Sequence, residues 1–151
     1  MDLPEQAVQL GLGEHAVTLR VSDGINQPAT KDVSITMIDT TAPTLAPVPD
    51  QGILWSPNHK MVNITIMANV SDDSGESVTL SAVVASNEPQ DGLGDGDTSP
   101  DWTEPVIDQA NGVIILQLRS ERSGTGDGRI YTITITGTDS SNTAVRRTWR
   151  L

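Results

Sequence analysis

The feature that most constrains this chain is a two-residue alternation of apolar and polar side chains that recurs along it. In HAVTLRVSDG, Val17, Leu19 and Val21 share one face, while Thr18 and Arg20 share the other. KDVSITMID repeats the pattern with Val33, Ile35 and Met37. Successive side chains of an extended strand point to opposite faces, so this period belongs to half-buried β-strands and not to helices. The turn-forming SDGINQPATK between the two stretches makes them a β-hairpin. DTTAPTLAPVPD follows, and its three prolines predict an extended linker.

A second series of strands begins after the linker. HKMVNITIMANV aligns Val62, Ile64, Ile66, Ala68 and Val70; SVTLSAVVAS aligns Val78, Leu80, Ala82 and Val84. GVIILQL follows Asn111-Gly112, a strong hairpin signal, and RIYTITITGT aligns Tyr131, Ile133 and Ile135 before AVRRTWRL closes the series. With ILW and PVID, residues 43–151 supply about seven short strands, the number an antiparallel immunoglobulin-like β-sandwich needs. The fold class is all-β.

Residues 1–42 supply two strands, or three if AVQL is counted, and a lone hairpin is marginal in water. They read as the closing hairpin of an incomplete domain of similar type. Their apolar row and open strand edges need cover, either from the 43–151 sandwich or from a second chain in a homodimer through residues 15–38.

With no Phe and one Tyr among 151 residues, the core must be built from Val, Ile, Leu, Ala and Met. The net charge of −11 opposes a nucleic-acid partner, whose phosphates attract basic surfaces. No apolar run reaches the length of a membrane span, so membrane insertion is not expected. The absence of cysteine excludes disulfides and thiolate metal sites.

Loops of a sandwich alternate between its two ends, which sorts the acidic residues into two groups. At one end, Asp72, Asp73 and Glu76 are expected to meet Asp139 and the linker residue Asp39. At the other, Asp91, Asp95, Asp97 and Asp101 are expected to meet Asp127 and Glu121. Carboxylates at this density need screening or a cation, and Ca²⁺ accepts six to eight oxygens from loop carboxylates and backbone carbonyls. Two further readings stand beside calcium. Gly and Asp are good turn formers in a solvated loop, and Arg119, Arg122 and Arg129 are placed to neutralise the second group without metal.

Catalytic constellations are missing from the sequence. His15 and His59 are the two histidines, they lie in different units, and no serine has a histidine partner at hand. The expectation is therefore a non-enzyme. Trp55 and Trp102 both fall in loops at the second acidic end, where they would either form a small platform for a sugar ring or cap the core.

GEHAVTLRVSDG and VSITMIDTTAPT resemble the closing strands and linker of PKD-like and HYR-like repeats of large secreted bacterial proteins. ILWSPNHKMVNITI, ASNEPQDGLGDGD and LRSERSGTGDGRIYTITITGTD resemble a bacterial extracellular immunoglobulin-like module. The resemblance implies a non-catalytic spacer or adhesion unit, extracellular or on the cell surface, calcium-stabilised, partnered by neighbouring domains of a tandem array and by a glycan or cell-surface ligand. The alternative it leaves open is an accessory carbohydrate-binding module of a secreted hydrolase. Departing from these repeats, the last turn is TDSSNTA, without their usual Gly-Asn.

Overall fold

Alternation is realised as antiparallel pairing throughout. The computed structural model of the chain describes residues 7–90, 98–125 and 127–151, and it forms two units, Met1–Thr40 and Thr41–Leu151. Among the described residues there are eleven strands and no helix.

The first unit is a single hairpin of β1 (Gly13–Val21) and β2 (Ala29–Met37), in continuous register from Gly13↔Met37 to Val21↔Ala29. Its polar face satisfies itself: Thr18 donates to Asp32 at 2.6 Å and Ser34 to Glu14 at 2.7 Å. The tip is tied by Asp23, whose carboxylate accepts from the Asn26 and Ile25 amides. Those bonds, the Asn26 amide first, hold its carboxyl down at about 2. On the other face Val17, Leu19, Val21, Val33, Ile35 and Met37 remain 37–62% exposed. AVQL forms no strand.

The second unit contains β3 (Thr44–Leu45), β4 (Val48–Pro49), β5 (Met61–Met67), β6 (Val70–Ser71), β7 (Thr79–Ser86), β8 (Val106–Asp108), β9 (Val113–Arg119), β10 (Tyr131–Thr138) and β11 (Ala144–Arg150). They assemble as a four-stranded sheet β4-β5-β9-β8, a three-stranded sheet β11-β10-β7 and the short pair β3-β6. Both larger sheets turn their apolar rows into one core. Ile64, Ile66, Ile114, Leu116 and Leu118 come from the first sheet, and Leu80, Tyr131, Ile133 and Ile135 from the second. Burying each such side chain contributes roughly 1.5–3 kcal/mol, so this shared core holds the two sheets face to face as a β-sandwich.

Three local expectations are corrected. HKMVNITIMANV is not one strand but β5 and β6, broken at Asn69, whose φ of 45° lies in the left-handed region. Asparagine tolerates that conformation, and its side chain is anchored on the Ala46 carbonyl at 3.1 Å, which lets the chain leave one sheet and pair with β3. The proline-rich stretch is not wholly a linker, because it contains β3 and β4. ILW forms no strand and belongs to an irregular loop before β5.

Candidate functional site

Alternation continues past the start of β10. Arg129 shares the parity of Tyr131, Ile133 and Ile135, so its side chain turns inward and is only 1% exposed. An unpaired guanidinium there would be costly. Instead, Arg129 is ringed by acids. Its Nη1 pairs with Oδ2 of the fully buried Asp101 and lies 3.5 Å from Glu121 Oε1, while Nε donates to Glu88 Oε2 at 3.3 Å. Nη2 donates to the Pro89 carbonyl at 3.1 Å, and the guanidinium carbon sits 5.9 Å from the centre of the Tyr131 ring. Glu88 also accepts the Ser123 amide at 2.8 Å.

A second arginine extends the cluster. Arg119, at the end of β9, donates through Nε and Nη2 to the Pro100 carbonyl and through Nη1 to the His59 carbonyl at 2.7 Å. Its Nε lies 4.0 Å from Glu121 Oε2, which also receives His59 Nδ1 at 3.1 Å. The amides of Asn58 and His59 both donate to the Ser120 carbonyl at 2.9 Å, and Ser120 Oγ donates to the Ser56 carbonyl at 2.7 Å. WSPNHK is thus sewn to the end of β9. Burial pushes the Glu121 carboxyl above its usual range; His59 opposes that shift and the Asp101 carboxylate adds to it. Burial likewise pushes the Tyr131 phenol up to about 12, and its hydroxyl donates to the Arg119 carbonyl at 2.8 Å.

The cluster forms one wall of a cavity of about 170 Å³, which Glu121 and Arg129 line together with Leu54, Trp55, Arg122 and Tyr131. Trp55 is 85% exposed at its rim. Trp102 behaves differently. It bridges to Leu118 and meets Tyr131 edge to face, with centroids 6.3 Å apart, so it is part of the core wall. The tryptophans expected as a pair therefore take different roles.

The loops at the opposite end bring Asp72 and Asp139 together, with carboxylate oxygens within 4.8 Å of each other. Asp139 is buried in the β10–β11 turn, whereas Asp73 and Glu76 are exposed, Glu76 accepting from Ser140. Asp39 lies after β2 in the first unit. Of the residues expected at the Arg129 end, Asp101 joins Glu121 in the buried cluster, and Asp127 is exposed. Asp91, Asp95 and Asp97 fall outside the described residues. Among the three arginines offered as counter-ions, Arg129 and Arg119 enter the cluster, while Arg122 stays exposed at the cavity rim.

Glu88 and Ser123 are members of the cluster that a search for metal-ligating aspartates overlooks. The parity of Arg129 with the core row of β10 is the signal that points to them, since an inward arginine demands inward acids. No family model matches the chain, and no curated protein is significantly similar to it.

Proposed function

We propose that this chain is a non-catalytic structural and adhesion module of a large extracellular or cell-surface bacterial protein, an immunoglobulin-like sandwich preceded by the end of a PKD-like or HYR-like repeat. The observation that carries the reading is the burial and internal pairing of the Arg129 cluster. Catalytic carboxylates must reach a substrate. Here Asp101 and Glu121 have fully buried side chains and spend their charge on guanidiniums that fasten four stretches of loop to one another. Such a knot suits a unit that must keep its end shape under load between neighbouring domains. The resemblance of the hairpin and sandwich motifs to secreted bacterial modules supports the same reading.

A force ramp on the chain held at both ends tests it. The second unit is expected to rupture in one cooperative event releasing up to about 40 nm of chain. Gradual yielding in small steps at low force would contradict a load-bearing module.

Trp55 favours a second reading, an accessory carbohydrate-binding module. A largely exposed indole at the rim of a cavity offers a flat face for a sugar ring, beside the Arg122 guanidinium. Retention on immobilised polysaccharides that is lost on Trp55→Ala and kept on Trp102→Phe would favour it, and no retention on a broad panel would remove it.

A further inference from the structure

We propose that the free edge of β11 binds an extended acidic peptide segment, which joins the β11-β10-β7 sheet as an added strand. β11 ends that sheet, and among the described residues no strand pairs with its other side. β3 passes nearby but gives its hydrogen bonds to β6. The phase of the ladder fixes which backbone groups are left over. Tyr131 and Leu151 exchange both backbone bonds, at 2.9 and 3.0 Å. Opposed residues of an antiparallel pair alternate between bonded and unbonded. In the register that sets Thr132 against Arg150, Val145, Arg147 and Trp149 therefore bond to β10. The amides and carbonyls of Arg146, Thr148 and Arg150 point away from it. Among these groups only the Arg146 carbonyl has a partner in the described residues, Arg147 Nη1 at 3.2 Å.

Side-chain chemistry selects the ligand. Arg146, Arg147 and Arg150 are three of the nine basic residues in a chain of net charge −11. All three are exposed, and among the described residues none has a carboxylate partner. The outward face that Arg146 and Arg150 share with the Thr132-Thr134-Thr136 row of β10 contains no acidic residue. Such an edge repels its own kind, since two β11 strands paired antiparallel about Thr148 would set Arg146 against Arg150. An acidic strand reverses the sign. Carboxylates four residues apart lie opposite Arg146 and Arg150, with a hydroxyl between them facing Thr148. The open amide row favours a peptide over an anionic polysaccharide, because only another backbone completes it. This inference goes beyond the module reading and holds whatever load the unit bears.

The test is an NMR titration of the full ¹⁵N-labelled chain with the peptide Ser-Glu-Val-Thr-Val-Glu-Val-Thr-Ser, followed by amide exchange. Saturable shifts along β11 are expected, with Kd below about 1 mM. The amides of Arg146, Thr148 and Arg150 should exchange at least about tenfold more slowly with the peptide bound. Arg146→Glu combined with Arg150→Glu should weaken binding at least about tenfold, and should take instead the peptide in which Lys replaces both Glu. No saturable shift, or binding indifferent to the charge reversal, would overturn the proposal. So would shifts without slowed exchange at those amides, or binding of heparin in place of the peptide, which would leave only a charged patch.

Discussion

Replacing Arg129 with methionine keeps most of the side chain's volume and removes its charge. In the wild type this guanidinium faces three carboxylates, Glu88, Asp101 and Glu121, all shielded from solvent, and also satisfies the Pro89 carbonyl. Two effects compete on its removal. Methionine gains some apolar burial, worth about 1–2 kcal/mol at most. Against that, breaking a buried ion pair from one side costs about 3–5 kcal/mol, because the partners stay desolvated without a counter-charge. Three acids share the loss here, so the electrostatic side wins, and Arg129→Met is expected to destabilise the second unit by about 3 kcal/mol. For a unit of this size that lowers Tm by roughly 10–15 °C. Urea unfolding followed by tryptophan fluorescence measures it. Adding Glu88→Gln, Asp101→Asn and Glu121→Gln to Arg129→Met should restore at least half of the loss, since neutral amides need no cation. A loss below about 1 kcal/mol, the range of exposed ion pairs, would refute the claim that the cluster is a buried fastening.

The raised Glu121 carboxyl fixes a sign for pH dependence. Its folded form holds the proton more tightly than the unfolded form, so its contribution is fully present below the ordinary value of 4.5 and is lost as pH rises toward the raised value. Unfolding free energies measured from pH 4 to 7 should therefore carry a downward component that Glu121→Gln removes; an unchanged slope would contradict it. Trp102→Ala should cost about 2–4 kcal/mol and Trp55→Ala less than about 0.5 kcal/mol by urea titration, the opposite order being excluded by their packing. Gly137→Ala places a methyl 3.2 Å from Val78 Cγ1 in a filled core. Overpacking at about 1–3 kcal/mol outweighs the roughly 0.5 kcal/mol gained by leaving glycine, so the variant should be about 1 kcal/mol less stable, and a stabilised variant would show that the site has slack.

Much of the fold was legible in the residues because long strands carry their own period. The rows Val62-Ile64-Ile66 and Tyr131-Ile133-Ile135, and the turn at Asn111-Gly112, sit where alternation and turn chemistry place them. β3, β4 and β6 have two residues each, too few for a period to register, so two of them are hidden in the proline-rich linker; ILW is apolar without alternation, and its Ile53 and Trp55 stay exposed in a loop. The end-to-end sorting of loops brought Asp72 toward Asp139 and the SNEP and SERSGTGDG loops together, as the structure has them. That arginines hold the buried carboxylates at the Glu121 end was not legible. Spacing gives a carboxylate's neighbourhood but not its burial, and burial decides whether an arginine is drawn in.

Hydrogen exchange on the intact chain tests the central claim most directly. If the Arg129 cluster is a permanent fastening, the amides of Arg119, Ser120, Ser123 and Tyr131 exchange only through global unfolding, with protection equal to that of Ile114 and Ile133 in the core. Exchange at those four amides through a local opening, orders of magnitude faster than in the core, would show that the cluster opens and closes, and would contradict the account of a buried structural knot.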